Sequence, residues 1–108
     1  MATLSTHVLD TSLGRPAEGV AIVLTTVAGE ELGSGATNAD GRIGRIGPEE
    51  LPAGDYVLTF ATGAYYLATG QQGFYPSASV TFTVAEGSEH YHVPLVLNPF
   101  AYSTYRGS

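Results

Sequence analysis

Short runs in which apolar and polar residues alternate recur along the chain, and Gly, Pro, Asn and Asp separate them. Successive side chains of a strand point to opposite faces, so this pattern predicts half-buried strands and an all-β sandwich. Residues 4–10 predict a first strand. Residues 19–27 predict a second, with Val20, Ile22 and Leu24 on one face and Ala21, Val23 and Thr25 on the other. A weak third strand over 33–37 runs into Asn38-Ala39-Asp40-Gly41, residue types that tolerate left-handed backbone and predict a turn. A short strand over 42–46 and a loop over 48–54 follow. Residues 55–62 alternate Tyr56, Leu58 and Phe60 against Val57, Thr59 and Ala61, the clearest strand of the middle region. Only residues 64–72 read as a short helix, limited by Gly70 and Gly73. Val80, Phe82 and Val84 mark another strand, Glu86-Gly87-Ser88 a turn, and residues 90–97 a long apolar strand. Asn98-Pro99 breaks that strand, and residues 101–105 predict the last one. No internal repeat, low-complexity tract or linker interrupts the order, so residues 1–108 read as a single domain.

Strand 90–97 carries more than fold information. Tyr91, Val93, Leu95 and Leu97 share one face, which is core-like throughout. The opposite face mixes His90 and His92 with Pro94 and Val96 and runs on towards Phe100 and Tyr102. Such a face is neither a clean solvated surface nor a clean core. A second subunit would account for the mixture, and so would a covering loop.

Composition narrows the function. The chain of 108 residues holds ten Asp/Glu and four basic residues, for a formal net charge of -6. All four basic residues are arginines, at positions 15, 42, 45 and 106, too few to build the basic surface that nucleic-acid binding requires. Cysteine is absent, which removes disulfides, thiol nucleophiles and thiolate metal sites. No apolar stretch approaches the ~18 residues of a membrane helix, and the first residues show neither a basic opening nor an apolar run, so a cytoplasmic protein is expected. A chain this short buries roughly 60 to 70% of its unfolded surface, enough for one modest core that association would reinforce.

Neutral-pH chemistry then rests on three histidines, four arginines, the carboxylates and the hydroxyls. Histidine titrates near pH 6.5 and suits proton transfer. His7 lies in the first strand and shares a face with Ser5 and Leu9. His90 and His92 form a His-x-His pair of the kind found in zinc sites, with His7 as a conceivable third ligand, but no carboxylate ligand stands nearby and no metal is expected. No Gly-x-Ser-x-Gly elbow occurs, and the spaced glycines of residues 41–47 lack the strand-then-helix context of a phosphate loop. A small hydrolytic or binding site built from His and Arg remains. The ending Tyr105-Arg106-Gly107-Ser108 is either a frayed terminus or part of that site.

Taken together, several segments resemble the transthyretin-like 5-hydroxyisourate hydrolases, over essentially the whole chain. These are Leu4-Ser5-Thr6-His7-Val8-Leu9-Asp10 with Gly14-Arg15-Pro16-Ala17, Asp40-Gly41-Arg42, Gly54-Asp55-Tyr56, His90-Tyr91-His92-Val93-Pro94-Leu95 and the terminal Tyr-Arg-Gly-Ser. The resemblance implies a transthyretin-like (prealbumin-like) sandwich of seven to eight strands with one short helix. It further implies a homotetramer, a dimer of dimers with active sites in clefts between subunits. The implied reaction opens the ring of 5-hydroxyisourate to give 2-oxo-4-hydroxy-4-carboxy-5-ureidoimidazoline, on the way from urate to allantoin, without metal or organic cofactor. The implied site residues are His7, Arg42, His92, Tyr105, Arg106, Gly107 and Ser108; His90 is peripheral and Arg45 has no fixed counterpart. On this expectation His92, with His7, deprotonates a water, and Arg42 binds the polar rim of the substrate and steadies negative charge. Ser108 and its carboxylate hold a histidine or water in register. The rival is a transthyretin-type carrier of a small hydrophobic ligand, a class that lacks these histidines, the arginine and the terminal tetrapeptide.

Overall fold

In this computed structural model, which describes residues 2–87 and 89–108, nine strand segments and one short helix form two facing sheets. The strands are β1 (Ala2–Asp10), β2 (Arg15–Pro16), β3 (Ala21–Thr26), β4 (Glu31–Ala36), β5 (Arg42–Ile43), β6 (Gly54–Phe60), β7 (Ala78–Val84), β8 (Glu89–Asn98) and β9 (Ala101–Thr104). One sheet has the order β2-β1-β8-β9, with β5 also on β1; the other has the order β4-β3-β6-β7. Because β8 pairs β1 from Ala2 to Asp10, β2 and β5 take successive stretches of its other edge. They share one strand position, so the nine segments fill eight positions, within the seven to eight expected. β2 is a two-residue segment with no alternation to announce it, and the sequence does not predict it.

The β1–β8 pair is parallel, whereas every other pairing is antiparallel. It brings the first and the penultimate strands side by side, with Thr3 opposite His90, Ser5 opposite His92 and His7 opposite Pro94. The core lies between the sheets. Leu4 and Val8 of β1, Ile22 and Leu24 of β3, Leu58 and Phe60 of β6, and Leu95 and Leu97 of β8 are all buried there. Each such side chain contributes about 1.5–3 kcal/mol on burial. Period-two alternation then sends Thr3, Ser5 and His7, and His90, His92 and Pro94, to the outer face of the same sheet.

Element boundaries differ from expectation where tertiary packing intervenes. The strand expected over 42–46 pairs only at Arg42 and Ile43; the chain then turns so that Ile46 enters the core, its N–H donating to the Leu4 carbonyl at 2.9 Å. The strand expected over 55–62 stops at Phe60, and helix α1 (Thr62–Ala68) starts at Thr62, whose hydroxyl donates to the Tyr75 carbonyl. At its other end the Gln71 and Gly70 N–H groups bond the Tyr66 and Leu67 carbonyls, and Gly70 has φ +70°. This is a Schellman stop that needs a glycine. The turn expected at Glu86-Gly87-Ser88 includes Ser88, which lies outside the described residues. Among the described residues no helix is long and apolar enough to cross a membrane.

A buried carboxylate fixes α1 to β1. Asp10 is 1% exposed and accepts hydrogen bonds from the Tyr65 hydroxyl at 2.6 Å, Gln71 Nε2 at 3.0 Å, and the Ser12 and Leu13 N–H groups. Burial works against its charge, but these donors outweigh burial and hold its pKa below the ordinary value.

Candidate active site

Two parallel strands and one tight turn assemble the site. The turn is closed by Asn38: its side-chain oxygen accepts the Asp40 and Arg42 N–H groups, and its carbonyl accepts that of Gly41. Gly41 has φ +75° and lies so close to β1 that a Cβ would sit 2.5 Å from the Val8 carbonyl oxygen. Only glycine meets both demands. The turn sets Arg42 opposite His7 in the antiparallel register of β1 and β5.

Both implied histidines are half-buried on this outer face, their ring centroids 6.4 Å apart. Burial pushes His7 below the usual histidine range and the Arg42 charge pushes it further; a hydrogen bond to the Asp40 carbonyl and the Asp40 carboxylate oppose this without cancelling it. His92 is lowered too, first by burial and then by Arg42, His7 and His90. Two imidazoles held neutral beside a fixed cation can accept protons at neutral pH. Among the described residues the Arg42 guanidinium pairs with no carboxylate, since the ion pairs are Arg45 with Glu49 and Arg106 with Glu89. It is exposed and available to an anionic group.

Hydroxyls orient the ring of His92. Ser5 Oγ lies 2.7 Å from His92 Nδ1, which leaves Nε2 as the nitrogen open to a ligand. The same Ser5 Oγ is 2.8 Å from His90 Nε2, and Thr3 Oγ1 is 2.6 Å from His90 Nδ1. Sequence reasoning placed Ser5 on the face of His7 without assigning it a part, and set His90 aside. The signal for both was the alternation of Thr3, Ser5 and His7, but it could be used only once β1 was known to lie beside β8.

The terminal segment divides. The Gly107 N–H donates to the His92 carbonyl at 2.8 Å, and a Cβ at 107 would lie 2.5 Å from His92 Cδ2, the ring carbon bonded to Nε2. Glycine here lets the backbone pass along the Cδ2 edge of the imidazole. Tyr105 and Arg106 turn the other way: the guanidinium lies 4.5 Å from the centre of the Tyr91 ring and 3.6 Å from Glu89 Oε1. Both line a groove of about 320 Å³ against β7, away from the histidines. Of the seven implied residues, the single chain therefore gathers His7, Arg42, His92 and Gly107, and Ser108 follows Gly107 in sequence. Among the described residues no three His, Asp or Glu side chains are grouped to hold a metal.

With this geometry in view, a sequence model described as the HIUase/Transthyretin family matches residues 4–107. The chain belongs to that family. It is 42% identical over 111 residues to the 5-hydroxyisourate hydrolase of Mus musculus, an alignment covering 97% of this chain and 94% of the mouse protein. The solved structure of Klebsiella pneumoniae 5-hydroxyisourate hydrolase superposes with a TM-score of 0.93 at 45% identity, covering both chains in full. Sea bream transthyretin in complex with thyroxine gives a TM-score of 0.87 at 35% identity, over 96% of this chain and 93% of the other. The fold is transthyretin-like, and members of the family with different printed functions share it.

Proposed function

We propose that this chain hydrolyses 5-hydroxyisourate, opening its ring at the face formed by His7, Arg42 and His92 beside residues 105–108. The observation that carries the reading is the meeting of two lowered-pKa imidazoles, a guanidinium that pairs with no carboxylate among the described residues, and the Gly107 backbone on one sheet face. Relatives named 5-hydroxyisourate hydrolase, matched over nearly the whole chain, support it.

Ring-amide hydrolysis needs an activated water, a donor for the developing oxyanion and a proton for the departing nitrogen. The activated water lies between His7 and His92, whose ring centroids are 6.4 Å apart. His92 Nε2 takes the water's proton, with His7 holding the water in line. Arg42 binds the polar rim of the substrate and meets the charge on the carbonyl oxygen. Ser108 steadies water or imidazole from the side that Gly107 opens. Arg106, braced on Tyr91 and Glu89, anchors the segment that delivers Gly107 and Ser108.

In the single chain Arg42 is exposed and His7 and His92 are half-buried. The second wall in this reading comes from another copy. Phe100 and Tyr102 are 68% and 38% exposed beside the unpaired edge of β9, a surface that association would cover. A homotetramer built as a dimer of dimers closes the cleft and adds burial to a small core.

The deciding experiment follows the ultraviolet absorbance of freshly generated 5-hydroxyisourate with and without the protein. Decay well above the spontaneous rate is expected, falling close to it in His92→Ala and Arg42→Ala while circular dichroism keeps the fold. Spontaneous decay alone with the unaltered protein would sink the assignment.

A further inference from the structure

Hydrolysis of an amide to a carboxylate releases a proton. One hydrogen of the water reaches the departing nitrogen, and the hydroxyl oxygen joins the carbonyl carbon as the C–N bond breaks. The carboxylic acid so formed ionises at neutral pH, and its proton has to leave the site before the base can act again. Resting on the hydrolase reading above, we propose that Thr3, His90 and Ser5 form a proton relay that carries this proton from His92 to solvent.

The geometry comes from the parallel register that sets Thr3 beside His90 and Ser5 beside His92. Four groups stand in a row: Thr3 Oγ1, His90 Nδ1 at 2.6 Å, His90 Nε2 to Ser5 Oγ at 2.8 Å, and Ser5 Oγ to His92 Nδ1 at 2.7 Å. Ser5 is 8% exposed, whereas the Thr3–His90 end is exposed, so the row runs from the site to water.

A hydroxyl has one proton to donate and lone pairs to accept with. With the Ser5 proton used on one imidazole, the other imidazole donates to Ser5, which leaves two polarities. In one, Thr3 donates to His90 Nδ1, His90 Nε2–H donates to Ser5, and Ser5 donates to His92 Nδ1. His92 then carries its proton on Nε2. In the other, His92 Nδ1–H donates to Ser5, Ser5 to His90 Nε2, and His90 Nδ1–H to Thr3 or solvent. His92 Nε2 is then a bare acceptor, the form a base needs. When His92 accepts a proton at Nε2, the Nδ1 proton passes to Ser5, the Ser5 proton to His90, and the His90 Nδ1 proton to water. No charge is stranded beside Arg42, and His92 is left neutral. The bare-Nε2 form returns after product leaves: the Nε2 proton passes to water in the emptied site while the row takes one proton back from solvent, so the full turnover releases only the single proton of the new carboxylic acid.

Ser5 and His90 are positioning residues on this account, because they act through His92. Two measurements test them. Nitrogen-15 NMR of the imidazole rings, without substrate, reads the tautomers: His90→Gln or Ser5→Ala should shift the Nδ1/Nε2 balance of His92, and Ser5→Thr should restore it. Unchanged His92 tautomers in both variants overturn the relay. With 5-hydroxyisourate in dilute, poorly shuttling buffer, His90→Gln should lower kcat by about tenfold with KM unchanged, and added imidazole should restore it. The unaltered protein should be indifferent to imidazole. A loss that imidazole does not relieve, or no loss, overturns proton export by this route. Absence of activity in the unaltered protein would instead remove the hydrolase reading, and the NMR result would still decide the coupling of the two rings.

Discussion

The backbone of Gly107 is bonded to the main chain of His92 and packed against its ring at the same time: the N–H···O distance is 2.8 Å, and a Cβ would fall 2.5 Å from Cδ2. Ring position and chain end are therefore one mechanical unit. Gly107→Ala should displace the imidazole or expel the terminal segment. A shift of about 1 Å at a reacting group can cost on the order of 100-fold in rate. The expected outcome is that scale of loss in kcat/KM with a small change in melting temperature, because the residue sits outside the core. Near-normal turnover would show that the segment yields without disturbing His92.

Residues added after Ser108 should act through the same contact. A short C-terminal tag places bulk beside the Nε2 edge of His92, whereas an N-terminal tag joins β1 at Ala2, towards the His90 end of the row. Activity of the two tagged proteins, compared at equal concentration and oligomeric state, should fall severely for the C-terminal tag alone.

Charge on Arg42 should be readable in the titration of both histidines. His7 and His92 are held below the ordinary histidine value by burial and by Arg42. In Arg42→Gln their midpoints, followed by NMR, should rise. Linkage gives the sign for stability: the unfolded chain takes up these protons near pH 6.5 and the folded chain resists until lower pH. That part of the stability is full above about pH 6.5 and is lost as pH falls through the folded values. Denaturant melts at pH 7.5 and pH 5 should show the drop, and Arg42→Gln should make it smaller.

Tyr65→Phe should loosen the helix. It removes the 2.6 Å hydrogen bond to Asp10 and leaves a buried carboxylate short of a donor. A hydrogen bond to a charged group is worth about 1.5–3 kcal/mol, and each kcal/mol shifts the melting temperature by about 4–8 °C in a domain near this size. Thermal melts should show that loss, while most of the activity is kept.

The strands that alternate cleanly were legible in the sequence: Ile22 and Leu24, and Tyr56, Leu58 and Phe60, are buried as their period demands. Pairing was not legible. Nothing in the alternation of β1 shows that it lies parallel to β8, since either direction buries the same face. His90 and His92 could be read as a pair on one strand face, but Thr3 and Ser5 had no visible partners. Arg106 was placed in the site by the family resemblance, whereas in the single chain its guanidinium goes to Tyr91 and Glu89. The Asp10 network was hidden for another reason, as Tyr65 and Gln71 lie far along the chain and meet Asp10 only after the sheets close.

The parallel β1–β8 pair has a consequence for how activity appears during folding. It joins groups 87 residues apart in the chain, such as Thr3 and His90. Contacts this distant are among the slowest to form, because the intervening chain must be ordered before they return free energy. Secondary structure and the β4-β3-β6-β7 sheet can assemble while His7 and His92 are still far apart. Recovery of activity on refolding should lag behind recovery of strand signal, and a ribosome-bound chain still lacking β8 holds all four strands of the second sheet but not His92.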